Sequence, residues 1–330
     1  MQEIDLEAIG RSEAFLGFQS RLSRAARVNR PVLLIGERGT GKELAARKLH
    51  FLSPRWSEPL VTLNCAAMTP SLLTSELFGH EAGAFTGAER RRTGRFEAAD
   101  RGSLFLDELG HIPPEAQEKI LRVVEYKRFE RVGSSEPTEV DVRLIGATHT
   151  DLAALAAEGR FKPDLLDRLS FEVLFVPPLR ERRDDILLLA SHFASRMARE
   201  LDRPPEVGFS DEAAQSLLGH PWPGNIRELK NVVERAVYRT EGPLVAELDF
   251  DPFRLGPSLP AAPSPISPAA PPSLPELPCS LPERLRELEI RLLRTALAQA
   301  HHRQNRAAEL LGLSYHQFRG LYRKHRAEID

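Results

Sequence analysis

The chain is short of the residues that staple small extracellular folds. It has two cysteines in 330 residues, Cys65 and Cys279, far apart and without metal-ligand spacing, so neither a disulfide framework nor a structural zinc site is expected. No role is assigned to either. Long apolar runs are also missing. No stretch approaches the roughly 20 residues that span a bilayer, and Glu3, Asp5 and Glu7 do not resemble a secretory leader, so a cytoplasmic location is expected. An excess of charge of one sign is missing too. Lys and Arg number 45 against 47 Asp and Glu, leaving −2. That excludes a polybasic protein, and any contact with nucleic acid has to come from local asymmetry. No internal repeat is evident. With 42% hydrophobic residues and a length beyond one typical domain, two or three folded units are expected.

What is present is concentrated in three segments. Val32-Leu33-Leu34-Ile35 is a short apolar run that feeds Gly36-Glu37-Arg38-Gly39-Thr40-Gly41-Lys42-Glu43 and then the helical pattern Leu44, Ala45, Lys48, Leu49. Strand, glycine loop and helix in that order make a cradle for a polyphosphate: backbone N–H groups and a helix N-terminus face the phosphates, and Lys42 reaches the β- and γ-phosphates. The spacing alone is weak, because it arises by chance in about one chain of this length in ten. Its placement between strand and helix gives it force. Glu43 stands where such loops usually carry the Ser or Thr that holds Mg2+, so the metal has to be held mainly from elsewhere.

Ser103-Leu104-Phe105-Leu106-Asp107-Glu108 offers that site, a second apolar strand ending in two carboxylates. Strand alternation turns them apart. Asp107 can serve Mg2+ while Glu108 orients or deprotonates an attacking water. Between the two lies Gly83-Ala84-Phe85-Thr86-Gly87-Ala88, flanked by His80, Glu81, Glu89 and Arg90 to Arg92. Glycines free the backbone, and a Phe in so polar a surrounding is expected either to meet a partner or to fold back on its own domain.

Apolar runs alternate with helical patterns up to about Phe175: Leu60–Leu63, Leu104–Leu106 and Val142–Ala147 between Leu72–Phe78, Ala116–Glu125 and Leu152–Ala157. This predicts a mainly parallel sheet covered by helices over residues 1–175. After Pro177-Pro178 the pattern is helical only, with Ile186–Leu201, Asp211–Leu218 and Asn225–Val237, and it defines a second subdomain over 176–252. Eleven prolines fall between Pro252 and Pro282, and 253–282 is read as a semi-stiff linker. Over 283–330 a helix carrying Leu285, Leu288, Ile290, Leu292, Leu293 and Leu297 precedes Asn305–Leu311, the turn Gly312-Leu313-Ser314, and Tyr315–His325, a helix-turn-helix layout. From His301 to Arg326 six Lys or Arg face one acid, Glu309, the electrostatic footprint of DNA binding. Tyr315, His316, Gln317 and Arg319 are the expected base readers, with Arg323 and Lys324 on phosphate.

The phosphate loop ending in Lys42-Glu43, the Gly83–Ala88 loop and Leu104-Phe105-Leu106-Asp107-Glu108, in that order, resemble the AAA+ ATPases that activate sigma-54 RNA polymerase. The resemblance extends through Glu76-Leu77-Phe78-Gly79-His80-Glu81, Trp222-Pro223-Gly224-Asn225-Ile226-Arg227-Glu228-Leu229 and the C-terminal segment, which is similar to Fis-type modules. It implies an AAA+ P-loop core with a parallel sheet, an α-helical lid and a C-terminal all-α helix-turn-helix domain. It implies ATP and Mg2+ as cofactors, and a homo-oligomeric ring, by analogy a hexamer. Gly83, Phe85, Thr86 and Gly87 become the sigma-54 contact. Glu43 fits the family, whose members carry a Glu there.

Residue by residue, Asn64 matches a polar switch that holds Glu108 away from the nucleotide. Thr148 matches the sensor strand end, Arg227 the lid arginine that reads the γ-phosphate, and Arg168 the arginine finger given to a neighbouring subunit. From the sequence alone each is equally well an ordinary surface polar residue. Two positions depart from the pattern. Lys162 stands where relatives carry a second intersubunit arginine, and His149 replaces an Asn, where it can accept from or donate to the γ-phosphate. The expected partners are sigma-54 RNA polymerase, enhancer DNA and, since no receiver domain is evident, a separate negative regulatory protein. Trp56, in Ser53-Pro54-Arg55-Trp56-Ser57-Glu58, is the candidate regulator contact, with packing beside the P-loop helix as the competing reading. Two other functions compete with activation. One is an AAA+ ATPase remodelling another target, and the other is a DNA-binding repressor with a regulatory ATP site.

Overall fold

The computed structural model describes residues 8–85, 88–252, 280–300 and 303–329. Two compact units divide at Phe253 and Arg254. The strands are β1 (Val32–Ile35), β2 (Leu60–Asn64), β3 (Ser103–Asp107), β4 (Arg128–Glu130), β5 (Pro137–Glu139), β6 (Arg143–Thr148), β7 (Glu172–Phe175), β8 (Gly208–Phe209) and β9 (Leu244–Val245). Five of them form one parallel sheet in the order β2-β3-β6-β1-β7. The central strands read as continuous apolar runs because both faces of the sheet are covered.

Alternation along each strand sorts side chains to the two faces. Val32 and Leu34 of β1, with Phe105 and Ile145, pack against α1 (Glu13–Ala26) and α2 (Lys42–Phe51) through Phe15, Phe18, Leu22 and Leu49. Leu33, Leu104, Leu106 and Leu144 face the opposite layer, built from α3 (Pro70–Phe78), α4 (Arg95–Ala98), α5 (Pro114–Tyr126), α6 (Leu152–Ala157) and α7 (Pro163–Leu169). The helices α8 (Arg183–Glu200), α9 (Asp211–Gly219) and α10 (Asn225–Arg239) follow the sheet and make their own core around Trp222, whose indole N–H donates to Leu217 O at 2.9 Å. In the second unit α11 (Leu281–Gln299), α12 (Gln304–Leu310) and α13 (Tyr315–Ile329) enclose Leu293, Leu297 and Phe318.

The strands and helices expected from periodicity are present, with ends displaced by at most four residues, the most at the end of Tyr315–Ile329. The edge strand β7, the antiparallel pair β4–β5 and α1 come in addition. The stretch read as a linker lies outside the described residues up to 279, as does Cys279. No described helix is long and apolar enough to cross a membrane.

One buried ionic group joins the start of the chain to the lid. Asp185, fully buried on α8, accepts from the N–H groups of Arg11 and Ser12 at 2.6 and 2.9 Å, from Ser12 Oγ at 2.6 Å and from Arg182 Nε at 2.8 Å. Arg182 also donates to Ile9 O at 2.9 Å and lies 4.0 Å over the Phe15 ring. Burial pushes the Asp185 carboxyl upward, but these hydrogen bonds outweigh it and hold the group below the ordinary carboxylate range. Asp185→Ala leaves Arg182 buried without its counter-ion and should cost about 3–5 kcal/mol in denaturant unfolding. A depressed folded pKa contributes stability above the unfolded value, about 3.9, which is lost as the pH falls through the folded value. The deficit of the variant should therefore be full at pH 7 and shrink below about pH 4.

Candidate functional site

The loop after β1 is held open by two glycines in left-handed backbone, Gly39 (φ +78°) and Gly41 (φ +97°). At Gly39 the demand is also steric, since a Cβ would lie 2.3 Å from Gly224 O of the lid. No side chain caps the N-terminus of α2, which leaves its first N–H groups for an anion. Lys42, buried at the first turn, donates to Gly36 O at 2.7 Å and Glu37 O at 3.0 Å. Burial lowers its pKa, against the pull of Glu108 and Asp107. Thr40 Oγ1 donates to Glu37 O at 2.9 Å and stiffens the same loop.

Gly39, Thr40, Gly41 and Lys42 line a cavity of about 1160 Å³ between the C-terminal ends of the strands and the lid. Eight Lys or Arg residues line it against Glu43, Asp107 and Glu108, and Ile9, Phe15, Phe18, Val176 and Leu189 supply an apolar wall. A basic floor beside an apolar wall suits a polyphosphate carrying an aromatic base. Asn64 and Arg227 also line it. Gly36, Glu37 and Thr148, expected to touch the nucleotide, are not among the residues that line it. Gly36 is still at the foot of the loop, where its N–H donates to Thr148 O at 3.2 Å. The Glu37 side chain turns to the lid, paired with Arg180 at 2.6 Å and accepting from Asn225 Nδ2 at 3.0 Å. Those hydrogen bonds, Arg180 first, pull its carboxyl down to about 2. Thr148 is buried, and its hydroxyl accepts from Thr150 N–H at 2.9 Å.

Asp107 ends β3 with its carboxylate half-enclosed. Oδ1 accepts from Glu108 N–H at 3.0 Å, and Oδ2 accepts from Asn64 Nδ2 at 3.4 Å. Asn64 thus meets Asp107 and not the expected Glu108. Its own Oδ1 accepts from Ala66 N–H at 3.0 Å, capping the short turn Cys65–Ala67 and fixing the amide towards β3. Glu108 has left-handed backbone (φ +57°), unusual for a non-glycine residue. Its side chain crosses to the end of β6, where Oε2 is 2.5 Å from His149 Nδ1. Burial and the neighbouring Glu108 charge raise the Asp107 pKa. Cys65, buried below them, has its thiol pushed up to about 12 by burial, then by Asp107 and Glu108, and is inert.

The donor set fits Mg2+ held by one carboxylate and substrate phosphates. Asp107 is available, and among the described residues no cluster of three His, Cys, Asp or Glu forms an all-protein metal cage. Arg168 lies away from the cavity on α7, exposed and paired with Glu125 at 3.0 Å. Lys162, at the start of that helix, pairs with Glu118 at 3.3 Å.

The loop beyond α3 is tied at its base. Glu76, buried on α3, bonds Arg92 at 2.6 Å and Arg95 at 3.0 Å, on the return side of the loop. Arg131 bridges Glu97 and Glu81 at 2.7 and 3.2 Å. Gly83 (φ +81°) donates to Ala88 O at 2.7 Å, closing the turn. Phe85 remains 46% exposed, its ring edge-on to His80 at 4.9 Å. His80 is itself buried, hydrogen-bonded to Ser75 at 2.7 Å, contrary to the exposure its polar neighbours suggest. Thr86 and Gly87 lie outside the described residues. Trp56 is 63% exposed, which removes the reading that packs it beside the P-loop helix. Its neighbour Arg55 is buried and anchors the turn to Gly102 O and Asp141.

In the second unit Tyr315, His316, Arg319 and Arg323 are exposed on α13. Gln317 turns back instead. Its Oε1 accepts from Ser314 N–H at 3.0 Å and Ser314 Oγ at 2.8 Å, a capping box that commits the amide to the helix start. Lys324 bonds Glu289 of α11 at 3.0 Å.

Three family models match the chain: the Sigma-54 interaction domain over residues 8–174, the AAA+ ATPase lid domain over 180–258, and the bacterial regulatory protein, Fis family, over 284–326. The chain belongs to the sigma-54-dependent transcriptional activators, AAA+ P-loop proteins with a Fis-type helix-turn-helix. It is 52% identical over 327 residues to the Psp operon transcriptional activator of Escherichia coli K12, covering 98% of this chain and 99% of that one. It is 51% identical over 242 residues to the transcriptional regulatory protein ZraR of the same strain, covering 73% and 55%. The structure of NtrX from Brucella abortus in complex with ADP matches with a TM-score of 0.69 at 33% identity, covering 97% and 69%.

A raised Asp107 pKa keeps its proton to higher pH than an ordinary aspartate. Binding of a triphosphate nucleotide in the presence of Mg2+ should therefore weaken on acidification at a higher pH than the ordinary aspartate range predicts. Asp107→Asn should remove the Mg2+ dependence at every pH, both read by fluorescent-nucleotide titration.

Proposed function

We propose that this protein is an ATP-hydrolysing activator that binds enhancer DNA and remodels the sigma-54 RNA polymerase closed complex through the Gly83–Ala88 loop. The observation that carries the reading is the convergence of Lys42, Asp107, Glu108 and Arg227 on one cavity, in the unit that also presents the half-exposed Phe85 on a braced loop. Lys42 and the α2 N-terminus hold the phosphates, and Glu108 orients the water. Mg2+, when bound at Asp107, neutralises charge developing on the phosphates. The position of Arg168, exposed and outside its own cavity, suits donation to a neighbouring subunit, so the working form is a homo-oligomeric ring, a hexamer by family analogy.

DNA contact is assigned to the exposed Tyr315, His316, Arg319 and Arg323, with Gln317 and Lys324 contributing once released from their present partners. The relative in Escherichia coli is described as the activator of the psp operon, and phage-shock genes are the proposed targets here. A separate negative regulator in trans is assigned to the Trp56 face, where Phe51 and Leu52 are also exposed.

Phe85→Ala should keep ATP hydrolysis within about threefold while lowering sigma-54-dependent promoter opening at least tenfold, since a half-exposed Phe that supplies contact area at an interface is worth a few kcal/mol. Hydrolysis lost by more than tenfold, or unchanged opening, would count against the assignment. Glu108→Ala should abolish activation, whereas a repressor with a regulatory nucleotide site would lose nothing by it.

A further inference from the structure

The histidine that follows β6 sits behind Glu108. His149 Nδ1 is 2.5 Å from Glu108 Oε2, with the two side chains 26% and 13% exposed. Glu108 lines the cavity and His149 does not. A carboxylate only accepts, so Nδ1 carries the hydrogen and the imidazole is the donor. His111 lies beside the ring, nearly parallel at 28° with centroids 6.5 Å apart. Glu108 reaches this partner because its left-handed backbone swings the side chain off the strand direction, towards the end of β6. Asn64, the expected partner, is turned to Asp107.

We propose that His149 is the positioning residue of Glu108. Its N–H fixes one carboxylate oxygen from outside the cavity, so that the other is presented to the attacking water. The inference rests on the proposed ATP hydrolysis and deepens it. Glu108 sits in strained backbone and has rotatable bonds of its own, and without a second-layer donor its carboxylate would sample orientations useless for catalysis. The imidazole acts through Glu108 and does not touch the nucleotide, which answers the question of how a histidine can stand at a position where the family carries Asn. An Asn amide Nδ2 projects about as far from the backbone as imidazole Nδ1 and is likewise a donor.

The test is steady-state ATP hydrolysis by the full chain, with nucleotide affinity titrated separately, for wild type, His149→Ala and His149→Asn. His149→Ala should lower kcat at least tenfold with KM and nucleotide Kd within twofold. His149→Asn should recover kcat to within threefold of wild type, the rescue that a merely structural role does not give. Three results would overturn the proposal: kcat of His149→Ala within twofold of wild type, nucleotide affinity of His149→Ala weakened tenfold, or His149→Asn as slow as His149→Ala. A wild type that hydrolyses no ATP overturns the parent reading, and the inference with it. An active wild type with unaffected variants overturns the inference alone.

Discussion

Asn225 holds the two halves of the nucleotide site together. It is buried, with φ +53°, at the start of α10. Its Oδ1 accepts from Leu179 N–H at 2.8 Å, and its Nδ2 donates to Glu37 Oε2 at 3.0 Å and Arg38 O at 3.1 Å. One carboxamide thereby satisfies the lid entry and the P-loop at once, and Ile226 N–H adds a bond to Gly39 O at 3.0 Å. The close approach is what Gly39 makes room for. Arg227, two residues beyond Asn225, is carried to the cavity by the same contact, so the position of the lid arginine follows from the packing of the P-loop. A buried amide with every donor and acceptor paired is costly to disturb.

The carboxylate pair is also linked to the Gly83–Ala88 loop by way of α3. Asn64 touches Asp107 and caps the turn that leads into α3. That helix carries Ser75, which fixes His80, and Glu76, which clamps Arg92 and Arg95. His80 in turn bears the edge of Phe85. A change of charge at Asp107 therefore has a path to the loop through these hydrogen bonds, the backbone of α3 and the ring contact. Two discrete arrangements of those contacts are what such coupling requires.

Much of this architecture is legible in the sequence, for physical reasons that differ by element. The central strands are recognisable because burial on both faces leaves only apolar residues, and the P-loop because glycines at left-handed positions are hard to replace. The edge strand β7 escapes notice since Glu172-Val173-Leu174-Phe175 is too short and mixed to separate from a loop. The contacts of single polar residues are not written in any periodicity. Nothing in the order of residues says that Asn64 meets Asp107 or that Glu108 meets His149, whereas the capping box of Gln317 is written in the spacing of Ser314-Tyr315-His316-Gln317. Arg182 and Asp185, three apart at the start of α8, were likewise visible as an ion pair, but not their reach to Ser12.

The central claim is that ATP hydrolysis in this site drives the Phe85-Thr86 loop against sigma-54. The most direct measurement is co-retention of purified sigma-54 by the protein held with ATP and aluminium fluoride, comparing wild type with Thr86→Ala. The account predicts that wild type retains sigma-54 and Thr86→Ala does not. It is contradicted by a wild type that hydrolyses ATP yet retains no sigma-54, or by a Thr86→Ala variant that retains it equally well.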